Sequence, residues 1–463
     1  MKRIASLLLG LAMAAAALSG CGAQGRETAA QEFPDAVSIV LSDDGIIVEG
    51  KAVSTDESAA VHTAHDIVCY ESGRDFTYGE GTEADEHTAE EAEAHTVVHI
   101  TQPGTYALSG TLSAGQIAVD LGEDAEDDPA AVVTLILNGV DITCTVAPAV
   151  IFYNVYECGS TDEDTASETV DTSAAGANVL IADGTINNVT GSYVARIYDP
   201  DSVVLSEDGM TVEDSEKLHK YDGAFYSKMS MNVDGGEAGT GVLNITADNE
   251  GLDTELHLTI NGGTINITSG NDGINTNEDN VSVTTVNGGS VNIQVAGETG
   301  EGDGIDSNGA LTVSGGEIYV SGPTSDGDSA LDYDGAATVT GGTVVAAGYS
   351  GMAQNFGADS TQGSILLTSR STSTEPIRVT DASGNVLVEF TPAKAYTCVV
   401  VSTPALMQGS TYTVTMGGQN TDVTLESLIY GSGGMGGQPG GNMGTPPDGT
   451  GGSMGMPPDG GKG

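Results

Sequence analysis

The chain has 463 residues, with 66 acidic against 13 basic side chains and a formal net charge of −53. Such a surface repels nucleic acid and anionic lipid, and it leaves cations and neutral or cation-bridged polymers as partners. With no Trp and six Phe, the chain also lacks the aromatic platform that stacks on crystalline polysaccharide. Any flat contact must use tyrosines such as Tyr319, Tyr333 or Tyr349.

Residues 1–20 have the layout of a secretory signal: Met1-Lys2-Arg3, then an apolar run from Ile4 to Leu18. The end of that run, Leu18-Ser19-Gly20-Cys21, resembles a bacterial lipobox, which implies a lipid on Cys21 after cleavage. An ordinary signal with a chance cysteine is the alternative. A lipid on Cys21 makes the expected location the extracellular face of the bacterial cell membrane, with the lipid as the membrane attachment. Residues 21–35 are small and polar and read as a tether.

Residues 36–96 read as an N-terminal β cap, with Val37–Leu41 and Ile46–Val48 flanking the turn Asp43-Asp44-Gly45. Within it, Glu83 to His95 reads as a short helix or an acidic loop, and His87 and His95 among carboxylates form a less specific candidate for a metal. Beyond Cys21 the cysteines are Cys69, Cys144, Cys158 and Cys398, without Cys-x-x-Cys spacing. Separate buried thiols are favoured, and a Cys144 to Cys158 pair stays open.

Residues 97–362 carry short runs of period-two alternation separated by Gly, Asn and Asp. The pairs Gly262-Gly263, Gly288-Gly289, Gly315-Gly316 and Gly341-Gly342 recur with a period of about 26 residues, in the solenoid range. Three short strands and three turns per repeat predict an all-β fold, a parallel β-helix whose apolar side chains fill the bore. A sandwich is the alternative. Residues 200–216 read as an acidic insertion, followed by the cluster Lys217, His219, Lys220 and Lys228. Residues 363–430 have longer strands and read as a C-terminal β cap that covers the last layer. Residues 431–463, rich in Gly, Met and Pro, read as a tail too poor in apolar residues to fold.

One acidic signature recurs in the repeats: Asn249-Glu250-Gly251-Leu252-Asp253-Thr254-Glu255, then Asn271 to Asn277, Gly302 to Asn308 and Asp328 to Asp334. The Ile or Leu of each copy is predicted to point into the bore. The acid after it, and the residue two further on, are predicted to point outward as a row of oxygens. Calcium accepts 6 to 8 such oxygens in loose geometry, so adjacent layers can share an ion. Asp272, Asn275, Asp303, Asp306, Asp328 and Asp332 are the candidate metal ligands, with Ca2+ as the cofactor. Turn chemistry alone explains the glycines but leaves the outward acids without a reason.

Catalysis is the competing reading. Stacked carboxylates can mimic the pair of a glycoside hydrolase, and a β-eliminating lyase needs a base. Between Lys228 and Arg370 there is no Lys or Arg, so the base would have to come from the Lys217 to Lys228 cluster or Arg196, which sequence order puts in earlier coils. No catalytic residue is assigned.

The stretches Asn271 to Asn277, Gly302 to Gly309, Ala330 to Gly335 and Gly348 to Gln354 resemble the carbohydrate-binding, polysaccharide-lyase-like family of calcium-binding parallel β-helices of clostridial-type bacteria. Gly104 to Leu112 and Leu137 to Thr143 resemble its opening coils, and Val386 to Pro392 its closing region. The resemblance covers about Val97 to Gly418. It implies a right-handed, calcium-binding β-helix at the cell surface that takes cellulose or acidic sugars such as pectin fragments, without established catalysis. In the fourth signature Ser329-Ala330 replaces Asp-Gly, which weakens the outermost ion site. A monomer is expected. A structural adhesin or envelope protein without a sugar ligand is the alternative from another class.

Overall fold

A computed structural model describes residues 31–297 and 299–431. The expected signal at 1–20, the expected lipid on Cys21, residues 21–30 of the expected tether, and residues 432–463, where a tail is expected, lie outside the described residues. The fold is all-β, with large mixed sheets and one α-helix of five residues among the described residues.

Three parallel ladders form the body. In the first, Met231–Gly235 pairs with Leu258–Ile260, which continues through Val283–Val286 and Ala310–Val313 to Ala337–Val339. In the second, Val242–Ala247, Thr264–Ser269, Ser290–Val295, Glu317–Ser321 and Thr343–Gly348 follow one another in the same sense. The third runs through Gly223–Ser227, Glu250–Thr254, Ile274–Thr276 and Ile305–Ser307, and ends in a bridge from Ile305 to Leu331. Because each strand pairs with its equivalent one repeat later, identical positions stack. Leu252, Ile274, Ile305 and Leu331 are all buried in the main core, as their alternation requires. On the second ladder, the Asn292 amide donates to Asn266, Asn266 to Asn244 and Asn244 to Asn188, at 3.0, 2.9 and 2.9 Å. This stack of amides ties layer to layer.

At the C-terminal end the pairing changes hand. Tyr396–Ser402 runs antiparallel to Thr343–Gly348 and to Ser364–Ser373, so the last parallel strand does not offer a free edge. At the other end, Val61–Ala64 lies antiparallel to Thr96–Ile100, while Val37–Leu41 joins Gly104–Leu112 in parallel.

The two kinds of glycine have different causes. The second member of each Gly-Gly pair has left-handed φ, at 84° for Gly263, 82° for Gly289, 77° for Gly316 and 79° for Gly342, which is turn chemistry. The signature glycines Gly251, Gly273 and Gly304 are needed for close approach instead. A methyl on Gly273 would sit 2.3 Å from Ile293 Cγ2 and 2.6 Å from Gly304 O. Ala330 is tolerated at the equivalent place because it packs on glycines, Gly322 and Gly348. Gly273→Ala is therefore expected to destabilise the fold by about 1–3 kcal/mol through overpacking. Gly327→Ala, whose methyl meets only the Ser325 hydroxyl at 3.3 Å, is expected to leave stability unchanged. Equal denaturation midpoints for the two variants would refute the close-approach argument.

Glu83 to His95 contains the helix Ala89–Glu93, capped by Thr88 with Glu91 reaching back to the cap. His95 is buried; its Nδ1 donates to Glu91 O at 2.8 Å, and Thr145 N–H donates to its Nε2. Both ring nitrogens are thereby used, which removes His95 as a ligand. Cys69, Cys144, Cys158 and Cys398 are free thiols, so Cys144 and Cys158 do not pair.

Candidate functional site

The third ladder places one row of side chains in register: Tyr226, Asp253, Asn275 and Asp306. Turn residues Asp222, Glu250, Asp272, Asp303 and Asp328 stand beside it. The expectation of an open acidic edge is corrected here. Asp253 is 0% exposed, Glu250 5%, Asn275 6% and Asp272 7%, because neighbouring layers and a hairpin cover them.

That hairpin is formed by Val194–Tyr198 and Lys217–Tyr221, antiparallel and irregular in register, with the acidic insertion carried as a second small hairpin between them. It brings Lys217 Nζ to 2.9 Å from Glu255 Oε1 and Lys220 Nζ to 2.5 Å from Asp222 Oδ2. The lysines thus reach acids beside the row, Glu255 and Asp222, where sequence order had put them in earlier coils. Burial opposes the Lys220 ammonium, yet the Asp222 carboxylate, with Glu250 and Asp253 behind it, holds its pKa above the ordinary lysine value. A lysine kept charged is a poor base for β-elimination.

Two groups of oxygens result. In the outer group, carboxylate oxygens of Asp303, Asp306 and Asp332 lie within 4.8 Å of one another. Three carboxylate oxygens this close can share one ion. Asp272 and Asp328 flank this group. Asp272 Oδ1 accepts the Asp303 N–H at 2.6 Å, and Asp303 in turn accepts the Ser329 N–H. Asp328 Oδ2 is buried with no hydrogen-bond donor. Asp332 accepts from Gln354 and from the Tyr333 N–H. Of the six sequence candidates, Asp303, Asp306 and Asp332 converge, Asp272 and Asp328 adjoin them, and Asn275 turns away to donate to Glu250 Oε2 at 3.1 Å.

The inner group is Asp222, Glu250 and Asp253. The sequence reading had Asp253 in the row and Glu250 on the turn before it, but missed Asp222. Its signal was Asp222-Gly223 before the buried Phe225, an imperfect copy of the signature in which Tyr226 takes the acid's place.

No basic side chain pairs with the outer group among the described residues. Burial, then the neighbouring carboxylates, push Asp303 up to about 9 and Asp306 to about 7. Asp272 is raised to about 6, chiefly by burial and against the Asp303 N–H bond. Carboxylates crowded this way stay ionised together only if a cation joins them. The donor set is all oxygen, several atoms are half satisfied, and Asp328 Oδ2 is orphaned, so the residues fit a hard divalent ion such as calcium.

A family model described as carbohydrate-binding domain-containing protein matches residues 94–389. A carbohydrate-binding domain-containing protein of Acetivibrio thermocellus is 28% identical over 167 residues, which is 36% of this chain and 43% of that protein. The match therefore spans less than half of that relative's length. Among solved structures, the polysaccharide lyase-like protein from C. thermocellum, in a gadolinium derivative, is similar at 19% identity and a TM-score of 0.35, over 67% of this chain and 93% of that one.

Proposed function

Because the chain belongs, over residues 94–389, to the family of carbohydrate-binding domain-containing proteins, we propose that it binds polysaccharide at the bacterial cell surface through calcium held on the acidic row. The three ladders are read as the walls of a right-handed parallel β-helix, with Asp303, Asp306 and Asp332 as the core ligands and Asp272 and Asp328 in support. The observation that carries this reading is the convergence in the outer group of three carboxylates without a basic partner, Asp303 buried and Asp306 and Asp332 half-buried. In a chain of net charge −53, calcium is also what makes contact with an acidic sugar favourable, since it bridges two anions. Acidic glycans such as pectin fragments therefore fit this site better than cellulose. Binding rather than cleavage is favoured because Lys220, the basic group nearest the row, is kept charged. The lipid on Cys21 would hold the domain at the membrane.

Calorimetry of the metal-free mature protein checks this reading. Calcium is expected to bind with release of heat or protons, and polygalacturonate to bind only afterwards, without new reducing ends or unsaturated products. Sugar binding that is the same with and without calcium would separate the two functions. Calcium binding with silence towards every glycan would favour a structural adhesin.

A further inference from the structure

The inner cluster is left unexplained by the outer one. Carboxylate oxygens of Asp222, Glu250 and Asp253 converge within 4.8 Å, and a cluster of acids alone does not call for an ion. Unsatisfied atoms do: Asp253 Oδ2 within the cluster, and Asn275 Oδ1 on the residue that pairs with Asp253 in the ladder, are buried with no hydrogen-bond donor, on residues that are 0% and 6% exposed. Their sister atoms are already engaged: Asn277 Nδ2 donates to Asp253 Oδ1 at 2.6 Å, and Asn275 Nδ2 donates to Glu250 Oε2 at 3.1 Å. What remains is a set of carboxylate and carboxamide oxygens with no nitrogen or sulfur, the preference of a hard cation.

The positive group that reaches this set is Lys220. Its ammonium lies 2.5 Å from Asp222 Oδ2, and its side chain is 42% exposed. It hydrogen-bonds neither orphaned oxygen. A long stem that is partly in water can carry its charge out again without unfolding anything.

We propose that Asp222, Glu250, Asp253 and the Asn275 carbonyl form a second divalent-cation site, and that the Lys220 ammonium is a tethered counter-ion competing with the cation for it. The site would hold charge balance in two ways, with the lysine in when cations are scarce and with the ion in and the lysine in solvent when they are abundant. The outer cluster has no such competitor and fills first. This site depends neither on sugar binding nor on the outer cluster's being occupied.

Terbium(III) titration of the folded mature chain tests the proposal, because Tyr226 lies in register beside Asp253 and can sensitise an ion there. In a D303N/D306N background, one terbium site is expected to remain, with emission lost in Y226F. K220M is expected to tighten that site about tenfold by removing the competing charge, and D253N to abolish it. Should D253N fail to fold, Asn275→Ser removes one neutral ligand and is expected to weaken binding severalfold. The proposal is overturned if D303N/D306N binds no terbium, if K220M leaves its affinity unchanged, if binding survives the loss of Asp253, or if Asn275→Ser leaves the affinity unchanged. Failure of the outer site alone looks different: D303N/D306N would then bind as many ions as the wild type, while D253N would still lose one.

Discussion

Millimolar calcium is expected to raise the melting temperature of the metal-free protein by several degrees, and D303N/D306N to remove the larger part of that rise. A ligand at a hundredfold its dissociation constant stabilises the state that binds it by about 2.7 kcal/mol. The reason to expect so large a share from two residues is that Asp303 and Asp306 are both in the outer group, which has no basic partner among the described residues. The two asparagines keep shape and most hydrogen bonds while removing the charge that an ion needs. They also remove self-repulsion, so the metal-free variant is expected to melt no lower than the metal-free wild type. That second outcome matters, because ordinary loss of packing would lower both curves. Thermal scans of the two proteins with calcium and with chelator decide it: an equal calcium shift in both would place the stabilising ion elsewhere.

In the absence of metal, stability is expected to fall as pH rises from about 4 towards 9, the reverse of the usual carboxylate effect. An unfolded aspartate titrates near about 3.9, whereas Asp272, Asp306 and Asp303 in the fold are raised to about 6, 7 and 9. The folded state therefore holds protons that the unfolded state has released. This contribution is fully present below the unfolded value and is lost as pH passes through the folded ones. Calcium competes with the same protons, so its stabilising effect is expected to grow across that window, and binding at pH 7 should release protons. Chelated and calcium-loaded melts between pH 5 and 9, with calorimetry in two buffers of different ionisation enthalpy, provide the check. Parallel melting curves across the range would show that the outer carboxylates are solvated and unperturbed.

The inward row is legible in the chain itself. Leu252, Ile274, Ile305 and Leu331 follow period-two alternation, and a repeat that stacks on itself puts equal positions in one line, so local pattern and global arrangement agree. The oxygen-bearing side chains of Asp253, Asn275 and Asp306 were readable in the same way, since register carries them together. The signature glycines were seen but their cause was not: the positive φ lies in the Gly-Gly pairs, while Gly273 answers to a neighbouring backbone and side chain that no local pattern reveals.

What repetition encodes is thus found by reading along the chain: the strands, the buried apolar line and the existence of an acidic row. Burial of that row, its division into two clusters and the partner of each acid depend on contacts between segments far apart in sequence. Lys217 reaches Glu255 and Lys220 reaches Asp222 because an irregular antiparallel hairpin folds back over the third ladder. Asn275 joins Glu250, and Asp332 meets Gln354, for similar reasons. Desolvation and the distance between charges set which carboxylates need a cation, and both quantities come into being when the layers close on one another.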